Sequence, residues 1–347
     1  MKLGLQLGYW GAAPPTNAAE LVAAAEEFGF DAVFAAEAWG SDAFTPLAWW
    51  GSETQRVRLG TSVVQMSART PAACAMHALT LDHLSGGRFV LGLGVSGPQV
   101  VEGWYGRPFA KPLARTREYV SILRKVLARE APVTNDGPHY PLPYQGPGAL
   151  GLGKPLKPIT HPLRADLPIW LGAEGPKNVA LTSEIADGWL AIYYAPRLAG
   201  MYEEWLAEGF EKSRQKDSIR SRENFEVAAT CQVVVTDDPV AVRAMLKPFV
   251  ALYIGGMGAP GMNFHAEVFT RMGYGEIVQD IGKLFLSGRK GEAAQVVPDE
   301  LVAEISIVGT AEHVREEVGR WEKAGVTMLL VGCRDVASIK AVAEACQ

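Results

Sequence analysis

The sequence predicts an α/β fold, and within that class a (β/α)8 TIM-type barrel with insertions. Three observations predict it. Short apolar, β-branched segments alternate along the chain with helical patterns of roughly 10–15 residues, the signature of βαβ units and a parallel sheet. The 347 residues hold about eight such units with length to spare. No glycine fingerprint follows the first strand, as an open dinucleotide-binding sheet would require.

The elements follow in order. Lys2–Gly8 alternates like a strand. Asn17 is placed to cap a helix that stops at Gly29. Asp31–Ala36 is a short buried strand, and a helix spans about Phe44–Thr54. Arg58–Gln65 is rich in β-branched residues and reads as one strand. Pro71 opens a helix that ends near Gly86-Gly87, with Pro just inside the start and Gly past the end. Arg88–Val95 is the fourth strand and Arg115–Arg129 an amphipathic helix.

Ala131–Asp166 breaks the rhythm with many Pro and Gly residues, and such long excursions are usually functional or lid-like. The alternation resumes with the strand Pro168–Gly172, a helix after Pro176 and the strand Gly188–Tyr193. Tyr202–Lys212 is helical and Phe225–Val235 reads as a strand. Val240–Arg289 holds helices around a Gly-rich break at Gly255–Gly261. The chain closes with the helix Ala311–Ala324, the strand Val326–Val331 and a last helix to Ala345. The expectation is one barrel domain over residues 1–347, with insertions at about 131–166 and 236–305.

Composition narrows the function. Nearly half of the residues are apolar and the formal net charge is −5, which is globular and lacks the basic footprint of a nucleic-acid binder. Cys74, Cys231, Cys333 and Cys346 form no C-x-x-C pair and read as reduced thiols of a cytoplasmic protein. The first residues lack an apolar signal region, and no apolar run approaches a membrane span. The six histidines are scattered, without a metal-ligand spacing, so each reads as a capping or surface residue and no protein-held metal is expected.

In a barrel of this kind the chemistry sits at the C-terminal ends of the strands. That rule selects Tyr9 and Trp10, Glu37 to Asp42, Ser62 to Arg69, Val95 to Gln99, Ala173 to Asn178, and Tyr193-Tyr194. Gly92-Leu93-Gly94-Val95-Ser96-Gly97 matches G-x-G-x-x-G, but Pro98 follows at once and the run sits on the fourth strand. It suits a flat ring lying close to the backbone better than a Rossmann turn. Glu37 ends an apolar strand, so its carboxylate either pairs with a neighbouring strand or meets a polar cofactor edge. Ala173-Glu174-Gly175-Pro176-Lys177-Asn178 joins a strand to a helix start. It reads equally as a phosphate site and as a tight turn with Pro at the first helical position. Trp39 and Trp104, in loops, are candidate walls of an apolar pocket; Trp49 and Trp50, on a helix, read as core.

These stretches resemble the luciferase-like superfamily of flavin and deazaflavin oxidoreductases, in particular the branch that uses coenzyme F420. The likeness runs along nearly the whole chain. It is carried by Phe30–Phe34 through Glu37, Leu59–Val63, Leu81-Asp82-His83-Leu84-Ser85-Gly86-Gly87-Arg88-Phe89 through Gly97, Glu102–Gly106 and Gly172–Asn178. The resemblance implies a (β/α)8 barrel acting as a homodimer on a small organic substrate, by hydride transfer to or from C5 of F420. It implies that Glu37 lies beside the deazaflavin ring, with Trp39 as its neighbour in catalysis. Ser62-Val63 would form a cis peptide behind the ring, next to Gln65. Gly94, Val95, Ser96 and Gly97 would follow the cofactor chain, and Ala173, Glu174, Gly175, Pro176 and Lys177 would hold its phosphate. Lys177 and Arg69 are candidate partners for the acidic tail. One departure stands out: relatives that oxidise a sugar phosphate carry a histidine after the acid, where this chain has Ala38. The alternatives are an FMN-dependent monooxygenase on the same barrel, a non-catalytic deazaflavin carrier, and a nicotinamide enzyme with a true Rossmann site.

Overall fold

The strands of the computed structural model, which describes residues 1–215, 220–258 and 261–346, are almost all parallel staves of one closed barrel. They are β1 (Lys2–Gly8), β2 (Ala32–Ala35), β3 (Arg58–Thr61), β4 (Val64–Gln65), β5 (Phe89–Gly94), β6 (Ile169–Gly172), β7 (Gly188–Ile192), β8 (Glu226–Thr230), β9 (Gln232–Val235), β10 (Ser306–Gly309) and β11 (Met328–Val331). The sheet runs β3-β2-β1-β11-β8-β7-β6-β5-β4, and β3 also pairs with β5, which closes the ring. β3 and β4 form one stave, interrupted at the cis peptide Ser62–Val63, so the barrel has eight.

The helices are α1 (Ala18–Glu27), α2 (Phe44–Gly51), α3 (Pro71–Leu84), α4 (Pro98–Gly103), α5 (Pro112–Ala128), α6 (Pro176–Ile185) and α7 (Ala199–Arg214). Then come α8 (Pro239–Gly255), α9 (Phe264–Phe269), α10 (Gly275–Leu286), α11 (Lys290–Val296), α12 (Asp299–Glu304), α13 (Ala311–Lys323) and α14 (Val336–Cys346). Local chemistry sets several starts. Thr70 accepts the Ala73 amide and Pro71 opens α3. Asn17 does not cap α1; its side chain donates to the Arg334 carbonyl instead.

Three apolar clusters hold the molecule together. The largest lies between the strands and the outer helices. A second fills the barrel with inward residues, among them Phe34, Val90, Trp170, Leu190 and Met328. Phe34 stacks on Trp170 with ring centres 5.7 Å apart. Glycines opposite make the room: a Cβ on Gly60 would lie 2.2 Å from the Phe34 ring, and one on Gly188 2.6 Å from Trp170. The third cluster belongs to α8–α12, whose Ile254, Phe269, Ile281 and Leu301 pack on one another and on Tyr193 at the end of β7. It forms a helical cap at the C-terminal ends of the strands.

Several expectations change. The stretch Phe225–Val235 is two strands, broken at Cys231: β8 stays in the barrel, while β9 leaves it to pair with β10. β10 itself lies in a stretch not read as a strand. Trp49, expected in the core, is 75% exposed. Part of the Gly255–Gly261 break, Ala259 and Pro260, lies outside the described residues.

Candidate active site

All eight staves contribute to one cavity of about 1070 Å³ at their C-terminal ends. Glu37, Trp39, Ser62, Val63, Gln65, Gly94, Val95, Ser96 and Gly97 line it, as do Ala173, Glu174, Gly175, Pro176 and Lys177. The sequence-selected residues are therefore brought together. Some others are not. Trp104 is 62% exposed and Trp10 packs on Trp50; neither lines the cavity. No described residue of 131–166 reaches it either, so that excursion is not its roof. The cap is: Leu246, Phe249, Met257, Met262 and Phe264 supply an apolar wall.

The floor is made by small residues around Val63. A Cβ on Gly94 would lie 2.5 Å from a Val63 methyl, and one on Gly172 3.3 Å from the other. A flat ring can therefore approach the backbone here. Beside it, Gln6 donates from Nε2 to Ser62 Oγ (3.1 Å), which leaves Gln6 Oε1 buried without a partner. Gln65 donates from Nε2 to the Glu37 carbonyl (3.2 Å), and its Oε1 is likewise buried and unpartnered. Buried acceptors without donors are costly, so these two oxygens suit the N–H edges of a heterocycle.

Glu37 is paired, as one of its two readings expected, and it also faces the cavity. Its side chain is 5% exposed and lines the cavity, while Oε2 accepts from the Gln65 amide (2.9 Å) and from Arg69 Nη1 (2.8 Å). Burial weakens the Arg69 charge, but the Glu37 carboxylate outweighs it and holds the guanidinium above its ordinary pKa. Arg69 is thus committed to Glu37 and does not line the cavity, so it is no free partner for an acidic tail.

At the start of α6, Gly175 is followed by Pro176 at the first helical position, and a side chain at Gly175 would meet open space. The amides of Asn178 and Val179 turn back to the Gly175 carbonyl (3.0 and 2.9 Å). That leaves the Lys177 amide and ammonium, together with the helix dipole, to meet an anion.

The opposite wall holds a polar cluster that sequence reasoning missed. His265 on α9 lines the cavity, contrary to its reading as a capping or surface residue. Its Nδ1 is 2.8 Å from Glu174 Oε1, near enough for an ion pair but out of line for a hydrogen bond. Arg271 donates to the Glu174 carbonyl (3.1 Å). The Tyr253 ring meets His265 edge-on, with centres 4.9 Å apart. Burial pushes the Tyr193 phenol well above its usual range, with Tyr253 and Glu174 adding to the shift. No local signal marks His265, because its partner lies 91 residues away across the cap (positions 174 and 265).

The profile of the luciferase-like monooxygenase family matches residues 4–328. A Mycobacterium tuberculosis protein, provisionally named a coenzyme F420-dependent oxidoreductase, is 68% identical over 331 residues, 95% of this chain and 94% of the relative. A 5,10-methylenetetrahydromethanopterin reductase of Archaeoglobus fulgidus is 29% identical over 280 residues, 81% of this chain and 78% of its own. Among solved structures, the F420-dependent tetrahydromethanopterin reductase of Methanopyrus kandleri superposes with a TM-score of 0.80 at 23% identity, over 99% of this chain and 97% of that one. An F420-dependent secondary alcohol dehydrogenase in complex with an F420-acetone adduct gives 0.76 at 19% identity, over 100% and 99%. At these identities the two structures share the fold.

Proposed function

This chain belongs to the luciferase-like monooxygenase family, and from that premise we propose that it is a coenzyme F420-dependent oxidoreductase acting on a small organic substrate. The observation that carries the reading is the relative of F420-dependent name, 68% identical along nearly the whole chain. The cavity supports it: a small-residue floor, two unpartnered carboxamide oxygens and an anion-ready helix start fit a flat heterocycle with a phosphate-bearing chain.

The deazaflavin, when bound, supplies or receives a hydride. The rest falls to the protein. Val63, backed by Gly94 and Gly172, supports the ring. Gln6 and Gln65 accept its N–H edges. Gly94 to Gly97 flank the chain, and Ala173 to Lys177 hold the phosphate. Glu37, fixed by Arg69 and the Gln65 amide, keeps a negative charge beside the ring. Trp39 and the cap helices exclude water from the reacting atoms. In the same reading the enzyme is one barrel domain, with the cap as an insertion, and works in the cytoplasm as a homodimer. Exposed Trp49, Met76 and Leu84 on α2 and α3 offer apolar surface for a second copy. No helix among the described residues is long and apolar enough to cross a membrane.

The test is a fluorescence titration with F420 and, separately, with FMN, repeated on Gly175→Asp. Tight F420 binding, weak FMN binding and a loss of about tenfold or more in Gly175→Asp are expected, since an added carboxylate would repel the phosphate. Tight FMN binding with weak F420 binding overturns the assignment.

A further inference from the structure

A reduction by hydride needs a proton as well, and the acid at the ring is badly placed to give one. Glu37 Oε2 already accepts from two donors and is paired with Arg69, and an ionised carboxylate only accepts. The next residue is Ala38, which has no proton to offer. Across the cavity the situation is reversed. His265 is the one histidine among the described residues that lines it. Its Nδ1 faces Glu174, so Nε2 is the nitrogen left for a bound molecule. Glu174 Oε2, the Tyr193 hydroxyl and His265 Nδ1 are all buried without a hydrogen-bond partner. The Glu174–His265 pairing answers for Nδ1 electrostatically, but Glu174 Oε2 and the Tyr193 hydroxyl stay buried with nothing in the fold to satisfy them.

We propose that His265, held by Glu174, is the proton donor of this enzyme, and that its corner receives the oxygen of a carbonyl or conjugated carbonyl substrate. The proposal deepens the F420 reading and rests on it. The substrate carbon accepts the hydride and becomes saturated. The displaced π pair moves to the oxygen, directly or through a conjugated alkene, and the oxygen takes the proton from Nε2 of the imidazolium. The cofactor leaves oxidised by two electrons, and the neutral imidazole regains its proton from water. Imidazole suits the task because it gains and loses a proton near neutral pH.

The groups around His265 suit that role, with Tyr9 after β1 meeting Tyr253 on the far side. Glu174, from the loop after β6, sets its carboxylate 2.8 Å from Nδ1 and so turns Nε2 towards the cavity. Tyr253 on α8 and Tyr193 at the end of β7 are pushed upward by burial and so face the corner as neutral phenols. Arg271 is spent on the Glu174 carbonyl and on Glu267, which shares α9 with His265. Tyr193 also has a left-handed backbone (φ 57°), an uncommon conformation for a bulky residue that clusters at functional sites. The apolar cap wall beside the corner, with Phe249, Met257 and Phe264, suits a substrate with a hydrophobic body.

4-Nitrophenolate imitates the oxyanion, and 4-nitroanisole is its uncharged counterpart. Binding of both to the full chain is measured with and without F420, in wild type and His265→Gln. Wild type is expected to bind nitrophenolate about tenfold or more tightly than the variant does, the usual worth of a charge-assisted hydrogen bond. Nitroanisole should bind both proteins equally. A second reading needs no variant: one of the six imidazole Cε1 NMR signals of the wild type should shift as nitrophenolate is added. Equal nitrophenolate affinity in the two proteins, no binding to wild type, or no shifting imidazole signal overturns the proposal. The F420 titration runs alongside, so failure of the cofactor reading appears as lost F420 binding and is told apart from failure of the proton donor.

Discussion

Removing Arg69 should harm the protein more than removing Arg69 and Glu37 together. The pair is 2.8 Å apart, with side chains 15% and 5% exposed, so both charges have been taken out of water. Replacing one partner of such a pair typically costs about 3–5 kcal/mol, because the other is left buried and uncompensated. Arg69→Met leaves Glu37 with the Gln65 amide alone. At roughly 2.1 cal/mol/K of unfolding entropy per residue, a cost of ~4 kcal/mol lowers the melting temperature of this 347-residue chain by about 5 °C. Glu37→Gln should cost less, since Arg69 keeps the nearby charge of Asp42 and stands over the Phe44 ring at 5.2 Å. In the double variant no buried charge is stranded, and most of the Arg69→Met loss should return. Differential scanning fluorimetry of the four proteins closes the cycle. A double variant as unstable as the sum of the singles would refute the buried-pair reasoning.

Two further outcomes test the scaffold. A Cβ on Gly209 of α7 would lie 1.9 Å from the Ala180 carbonyl oxygen and 2.1 Å from Ser183 Oγ on α6, so Gly209→Ala should lower the melting temperature by several degrees through overpacking, about 1–3 kcal/mol or more; an unchanged melting temperature would contradict this contact. Burial pushes the thiols of Cys74 and Cys346 up to about 11 and that of Cys333 up to about 12, so native protein at pH 8 should react with Ellman's reagent far more slowly than urea-unfolded protein, and rapid native labelling would be the contrary result. The same shifts fix a sign. The unfolded thiols ionise near 9.0 and the folded ones later, so their contribution to stability is intact below pH 9 and is lost as pH rises towards 11. The urea midpoint should fall across that window.

How far the sequence reveals the molecule depends on whether the signal is local. The alternation of strands and helices is local, and so is the rule that chemistry gathers where strands end. Hence Glu37, Val63, Gly94 and Gly175 were brought to one cavity as their positions suggested. The Phe225–Val235 run shows the limit. A run of apolar and β-branched residues looks alike in any sheet, so nothing in its residues reveals that the chain changes sheets at Cys231. The roof misled for a related reason. Pro and Gly mark 131–166 as irregular, but irregularity does not say which end of the barrel a segment covers. Its Arg164 in fact reaches Asp82 and the Phe89 carbonyl, at the start of β5 and away from the cavity.

The cap also divides the labour of the site. In the proposed reading the cofactor would rest on strand ends, whose positions are fixed by the closed hydrogen-bonded ring. The substrate would then meet α8 and α9, which belong to a separate apolar cluster and touch the barrel through Tyr193 and the Glu174 contacts. Substitutions in the cap can therefore change what is reduced or oxidised without disturbing the surface on which the ring rests. Within that division Glu174 is the exception, because its backbone neighbours the phosphate turn while its carboxylate faces His265. A cofactor phosphate seated at Gly175 would thus set the position of the carboxylate that holds the proton donor.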